Sequence, residues 1–173
     1  VLAVVVALAL GAVACTDDPQ AGPGDGPTVT AATGSGPAST TSVVIVGEPI
    51  NRYTLAMGDC FSTYVVGTDV ITTKLRCEDP HEREVFSTHV HPAKFGDPWP
   101  GEEALQKYAV RLCYQDFAAF TGVIYELSEL VIGAVTPPQA NWEDPRARYR
   151  GIQCYVARGD GKPLVGSMRD KRI

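Results

Sequence analysis

The sequence predicts an α+β fold: a small antiparallel sheet with one main helix packed on it, tied by two disulfides. Residues 61–66 and 70–75 are rich in β-branched and aromatic side chains and flank Gly67-Thr68-Asp69, a hairpin signal. Within 102–120 the apolar residues Leu105, Tyr108, Leu112 or Cys113, Phe117 and Phe120 recur at spacings near three and four, the period of an amphipathic helix. Cys60, Cys77, Cys113 and Cys154 form an even set, which an exported chain uses as disulfides. Strands, one substantial helix and then strands again put that helix on one face of an antiparallel sheet.

The chain opens on an uncharged apolar run, residues 1–14, broken only by Gly11. Such a run is too short to cross ~30 Å of hydrocarbon, which takes roughly 20 helical residues. It matches the apolar core of a secretory signal peptide, with Ala12-Val13-Ala14 as the small residues before a cleavage point. The junction with Cys15 resembles a bacterial lipobox, with Ala12 in place of the more usual leucine. That resemblance implies that the Cys15 thiol takes a diacylglycerol and becomes the new N-terminus. An incidental cysteine behind a plain signal is the alternative, and the even set formed by the other four favours lipidation. Neither Met nor a basic residue precedes the run, so the signal reads as truncated at its start.

Residues 15–50 read as the lipidated cysteine and a linker. Positions 16–42 hold Asp17, Asp18 and Asp25, no Lys or Arg and no aromatic, and are otherwise almost all Gly, Pro, Ser, Thr and Ala. Such a segment buries too little apolar surface to offset its ordering entropy and is expected to be disordered. As a coil it spans about 25–30 Å, enough to hold a domain clear of lipid headgroups. Its acidic residues argue against docking on an anionic surface. A short strand is expected at 43–46, before the turn signal Gly47-Glu48-Pro49.

Residues 51–173 suffice for one domain core. The four acidic residues before position 51 leave sixteen of the twenty against all fifteen basic ones, so the domain is near neutral and no nucleic-acid partner is expected. Three disulfide pairings are open. Cys60–Cys77 with Cys113–Cys154 is favoured, because the first bounds the hairpin and the second ties the helix to a late strand. A third strand is expected at 85–90, and Asp97-Pro98-Trp99-Pro100-Gly101 breaks the chain. Glu102 and Glu103 suit the first turn of the helix, and Gly122 ends it. Later strands are expected at 127–135, 149–156 and 164–168. The cysteine spacings are long and contain no CxxC, so zinc is disfavoured and no cofactor is expected.

Candidate site residues are few. His81 and Glu84, in the polar run Pro80-His81-Glu82-Arg83-Glu84, form either an acid–base or ligand-gripping pair, or a turn in which His81 satisfies backbone groups and pairs with Glu84. The turn is the preferred reading. No activated nucleophile accompanies them. His89 and His91 share one side of a strand. His81 falls some 25 Å away at ~3.3 Å per strand residue, so the three are not expected to share a metal. Trp99 and Trp142 lie in proline-flanked loops, where they bind a peptide or glycan or cap the core. Arg146, Arg148 and Arg150 alternate along an incoming strand, so that they share a face toward acidic wall groups or form a solvated edge.

Gly58-Asp59-Cys60 is followed by Cys77-Glu78-Asp79-Pro80-His81-Glu82-Arg83-Glu84-Val85, then by Pro100-Gly101, Cys113, Phe117, Gly122 and Ser128. Pro137 and Trp142 precede Cys154, and Gly166-Ser167-Met168-Arg169 closes the pattern. This arrangement, over residues 55–169, resembles the septum-formation domain family of actinobacterial exported proteins. It departs from the family's usual glycine-containing turn at Trp142-Glu143-Asp144-Pro145-Arg146. The resemblance implies a link to septum formation in cell division and no established catalytic activity. The expectation is a lipoprotein on the outer face of the cytoplasmic membrane, with a non-catalytic domain that binds a division or envelope-assembly protein or a wall polymer. An envelope-acting enzyme using His81 and Glu84, or a small metal-binding or sensor lipoprotein, are the alternatives.

Overall fold

The computed structural model describes residues 43–173, so the expectations for the signal peptide, Cys15 and most of the linker lie outside the described residues. Strands β1 (Glu48–Pro49), β2 (Cys60–Val66), β3 (Asp69–Leu75), β4 (Arg83–Val90), β5 (Leu130–Val135) and β6 (Gly151–Arg158) form one six-stranded antiparallel sheet in the order β1-β3-β2-β4-β6-β5. Helix α1 (Glu102–Thr121) packs over β4, β5 and β6, and a short helix α2 (Gln139–Glu143) precedes β6. The expected α+β architecture is the observed one.

The hairpin is tighter than its signal. Val66 pairs with Asp69, so the turn is the two residues Gly67-Thr68, with Gly67 at φ 63°. Val85 faces one side of the sheet and Phe86 the other, and the register of β4 against β6 shifts between Val85 and Ser87. Ordinary alternation sends Val85 and Phe86 to opposite faces, and the bulge puts one extra residue into β4.

The main core lies between α1 and the sheet. Leu105, Ala109, Cys113, Phe117 and Phe120 supply the buried helix stripe, so Cys113 rather than Leu112 occupies its centre. They meet Phe86, Leu130, Ile152, Cys154 and Val156 from the strands, with Leu164 and Met168 closing one end. Gly122 at φ 78° caps the helix, its N–H donating to the Ala118 carbonyl at 3.0 Å. The opposite sheet face carries a smaller cluster of Leu55, Phe61 and Val85 with Ile50 and Tyr155. Among the described residues no helix is long and apolar enough to cross a membrane.

Both favoured disulfides form, Cys60–Cys77 and Cys113–Cys154, with Cα separations of 5.2 and 5.4 Å. The first closes the β2–β3 hairpin just past its end. The second joins α1 to β6 inside the main core, where both cysteines are fully buried.

Four local expectations are corrected. Residues 43–46 are not a strand. The edge strand is Glu48–Pro49, inside the supposed turn, because Gly47 at φ 97° brings the chain against β3 where a Cβ would come within 2.7 Å of the Lys74 carbonyl. Residues 164–168 give only an isolated bridge between Leu164 and His81, since Gly166 at φ 78° turns the chain and Glu84 takes the next backbone N–H. The late strands start at Leu130 and Gly151, later than read, because residues Tyr125–Leu127 form a 3-10 turn and Arg148 sits at φ 45°. The proline-rich loop before Trp142 is helix α2 from Gln139 onward.

Removing each disulfide should lower stability by an amount set by its loop. The bonds span sequence separations of 17 and 41 residues, for which chain entropy gives about 3 and about 4 kcal/mol. Urea unfolding of the paired variants Cys60→Ala/Cys77→Ala and Cys113→Ala/Cys154→Ala checks both, and the second is expected to be the less stable.

Candidate functional site

His81 and Glu84 are both about 1% exposed and both hold the C-terminal segment against β4. His81 exchanges backbone hydrogen bonds with Leu164, at 3.0 and 2.7 Å. Its Nδ1 lies 2.8 Å from the Asp79 carbonyl, which can only accept, so Nδ1 carries the proton. The two carboxylate oxygens of Glu84 are separately engaged: Oε1 accepts from the Ser167 hydroxyl and Oε2 from the Met168 N–H, each at 2.6 Å. Glu84 thus does not pair with His81 but clamps residues 167–168. Cys60, Cys77 and Glu84 lie within metal-ligating reach of one another, but both sulfurs are joined in the disulfide.

The other predicted residues scatter. His89 bonds to Asp116 on α1, with Nε2 and Oδ2 2.8 Å apart. His91 lies against Tyr108 and Trp142, with ring centroids at 4.6 and 5.1 Å. Trp142 is buried, donates from Nε1 to the Asp97 carbonyl at 3.0 Å, and is covered by the Arg150 guanidinium 3.7 Å above its ring. Arg146, Arg148 and Arg150 precede β6 and share no face. Asp144 accepts the N–H groups of Arg146 and Ala147 to make a turn, Arg148 lies over Phe95 at 3.9 Å, and Arg150 is buried. The arginine alternation therefore reads as a strand pattern only in sequence.

Trp99 alone among these residues lines a recess of about 430 Å³ that lies across the sheet face that α1 leaves open. β2 and β3 give Phe61, Thr63, Val70 and Thr72; β4 and β6 give Arg83 and Tyr155. The segment 134–139 and the start of α1, with Glu102 and Gln106, complete the lining together with Arg52. Tyr155 can lie across β5 because its register partner is Gly133; a Cβ there would come within 2.2 Å of the ring. Gln106 donates to the Thr136 hydroxyl at 2.7 Å and ties α1 to the segment after β5.

Arg83 is the organised cation of the recess. Its guanidinium carbon stands 5.8 Å from the Phe61 ring centre and 5.3 Å from that of Tyr155, and these rings meet edge-on. Nη1 donates to the Thr63 hydroxyl at 2.6 Å and lies 3.3 Å from the Glu82 carboxylate, which also accepts from Thr63. Nε and Nη2 have no protein acceptor among the described residues. The Trp99 Nε1–H is likewise shielded without an acceptor, a state that costs about 1–3 kcal/mol until one is supplied.

Arg83, Phe61 and Tyr155 are not among the candidates predicted above, although the sequence carries a signal for the two rings. Cys154 must face the helix to reach Cys113, so Tyr155 must face the other way. Phe61 lies next to Cys60 on a strand and alternates in the same manner.

The geometry defines a class: a small disulfide-bonded α+β domain with one sheet face covered by a helix and a preformed recess on the other. A family model described as septum formation matches residues 57–171, and the chain belongs to that family, which suggests a role in septum formation. No curated protein and no solved structure matches the chain.

Two measurements follow. Glu84→Ala leaves two buried donors unpaired and is expected to cost about 2–4 kcal/mol in urea unfolding; unchanged stability would contradict the clamp. Burial, and secondarily the nearby Arg150 charge, holds the His91 imidazole below its ordinary value of 6.5. A lowered folded-state pKa stabilises the fold above the ordinary value, and that stabilisation is lost as pH falls through the folded-state value. NMR titration of His91 should therefore give a midpoint below 6.5, with unfolding becoming easier on acidification through that range.

Proposed function

We propose that this chain is a lipid-anchored protein of the outer face of the cytoplasmic membrane, whose folded domain is a non-catalytic binding module acting in septum formation. The observation that carries this reading is the open-face recess: its cation is fixed by aromatic rings and hydrogen bonds, and the Thr63 hydroxyl beside it is tied between Arg83 and Glu82. Preformed concave sites with a few placed polar groups suit binding. Of the acid–base candidates His81 and Glu84, the Glu84 carboxylate is taken up by the C-terminal segment, and His81 pairs with that segment through its backbone.

Two disulfides in so small a domain suit an oxidising compartment, which supports export. The apolar run ending at Cys15 supports the anchor. The partner in this reading is a division or envelope-assembly protein.

The test is the position of a fluorescently tagged full chain in growing cells of its own host. The intact protein is expected at septa, Cys15→Ser is expected to be released into the medium, and Arg83→Glu is expected to stay on the membrane but lose septal enrichment. A uniform membrane signal for the intact protein would overturn the septal role, and unaltered enrichment of Arg83→Glu would overturn the recess as the partner surface.

A further inference from the structure

We propose that the recess takes the free C-terminal carboxylate of a short peptide, seated on Arg83. This rests on the reading of the recess as the partner-binding surface and names what that surface recognises.

The first argument is the guanidinium fork. Nη1 is engaged by Thr63 and Glu82, whereas the Nε and Nη2 edge has no protein acceptor among the described residues. The Phe61 and Tyr155 rings hold the group in place. A planar, preoriented fork with two open N–H groups matches a carboxylate bidentately and loses little freedom on binding.

Charge balance narrows the ligand. Arg52 and Arg83 share the lining with Glu102, and Glu82 lies beside Arg83. The two carboxylates nearly cancel the two guanidiniums, so a polyanion such as a phosphate polymer meets repulsion after its first charge. A neutral glycan, in turn, leaves the Arg83 fork unmatched. One carboxylate at the end of an otherwise uncharged segment fits both constraints.

The remaining lining suits a peptide backbone and a small apolar side chain. Val70, Phe61 and Tyr155 form an apolar floor next to Arg83, and Val135 and Pro137 extend it. Gln106 uses its amide nitrogen on Thr136, which leaves its carbonyl for a ligand N–H. Trp99 lines the same recess and its indole reports on what enters it. Alternating donors and acceptors beside a terminal carboxylate are what the end of a polypeptide offers.

The full chain with its disulfides oxidised is titrated with N-acetyl tripeptides ending in Ala, Leu or Phe, each as the free acid and as the C-terminal amide, and with tripolyphosphate. Calorimetry gives affinity, and the two tryptophan indole N–H signals in NMR report place. The expected result is that at least one acid binds at least tenfold more tightly than its amide and shifts the Trp99 signal while the buried Trp142 signal stays. Arg83→Gln should weaken that acid at least tenfold while the NMR spectrum remains that of the folded domain, and Arg83→Lys, which keeps the charge without the fork, should recover only part of it. Equal binding of acid and amide, tighter binding of tripolyphosphate than of every acid, or no peptide shifting Trp99 would each overturn the proposal. Should one of these occur while Arg83→Glu still abolishes septal enrichment in cells, the ligand class falls and the recess as partner surface stands. Should septal enrichment survive Arg83→Glu, that reading falls on its own evidence.

Discussion

The bond between Cys113 and Cys154 decides which face of the sheet is which. It lies in the main core and fixes one side of α1 to β6, a strand paired on both edges by β4 and β5. Once Cys154 points to the helix, strand alternation sends Tyr155 to the far face. Gly133 opposite it on β5 gives the ring room to lie flat across the neighbouring strand. One covalent contact on the covered face thus determines which aromatic rings are presented on the open one.

The polar residues divide along the same line. At the end of β4, His81 and Glu84 bond to the C-terminal segment and are lost to solvent, while Arg83 between them projects to the open face. Neighbours in one polar run therefore do opposite things: two close the fold and one is held ready. Burying Glu84 without a countercharge is tolerable because both of its oxygens accept short hydrogen bonds. The Arg83 charge is instead moderated by two rings and a shared carboxylate, which keeps it oriented while part of it stays in water.

The sheet, the helix and the disulfide pairing were legible in the sequence because periodicity and cysteine placement report directly on burial. The β2–β3 hairpin and α1 follow from β-branched runs and a stripe repeating every three or four residues. What failed to show were features made by chain segments distant in sequence. The segment 164–168 has strand-like residues, yet its N–H at Met168 goes to a side chain eighty-four positions away, which no local pattern encodes. Arg146, Arg148 and Arg150 alternate as on a strand, but the Asp144 turn and the stacking of Arg150 on Trp142 prevail. Of the candidate site, the sequence pattern points to Trp99 alone. Arg83 stands inside a polar run, and a recess depends on which faces remain uncovered after folding, which no local pattern encodes.

The chain enters the domain through the weakest element of the sheet. β1 is an edge strand held to β3 by a two-residue pairing, a bond from the Ile50 N–H to the Thr72 carbonyl, and the Thr73 hydroxyl on the Val46 carbonyl. Tension applied along the preceding segment would peel these contacts one after another instead of shearing them together. The Cys60–Cys77 bridge lies further along the chain and is covalent, so β2 and β3 stay joined there, whereas Arg52, part of the recess lining, lies on the side that peels. β1 is in this sense a mechanical fuse: it gives way first under load, and its release would loosen one wall of the recess.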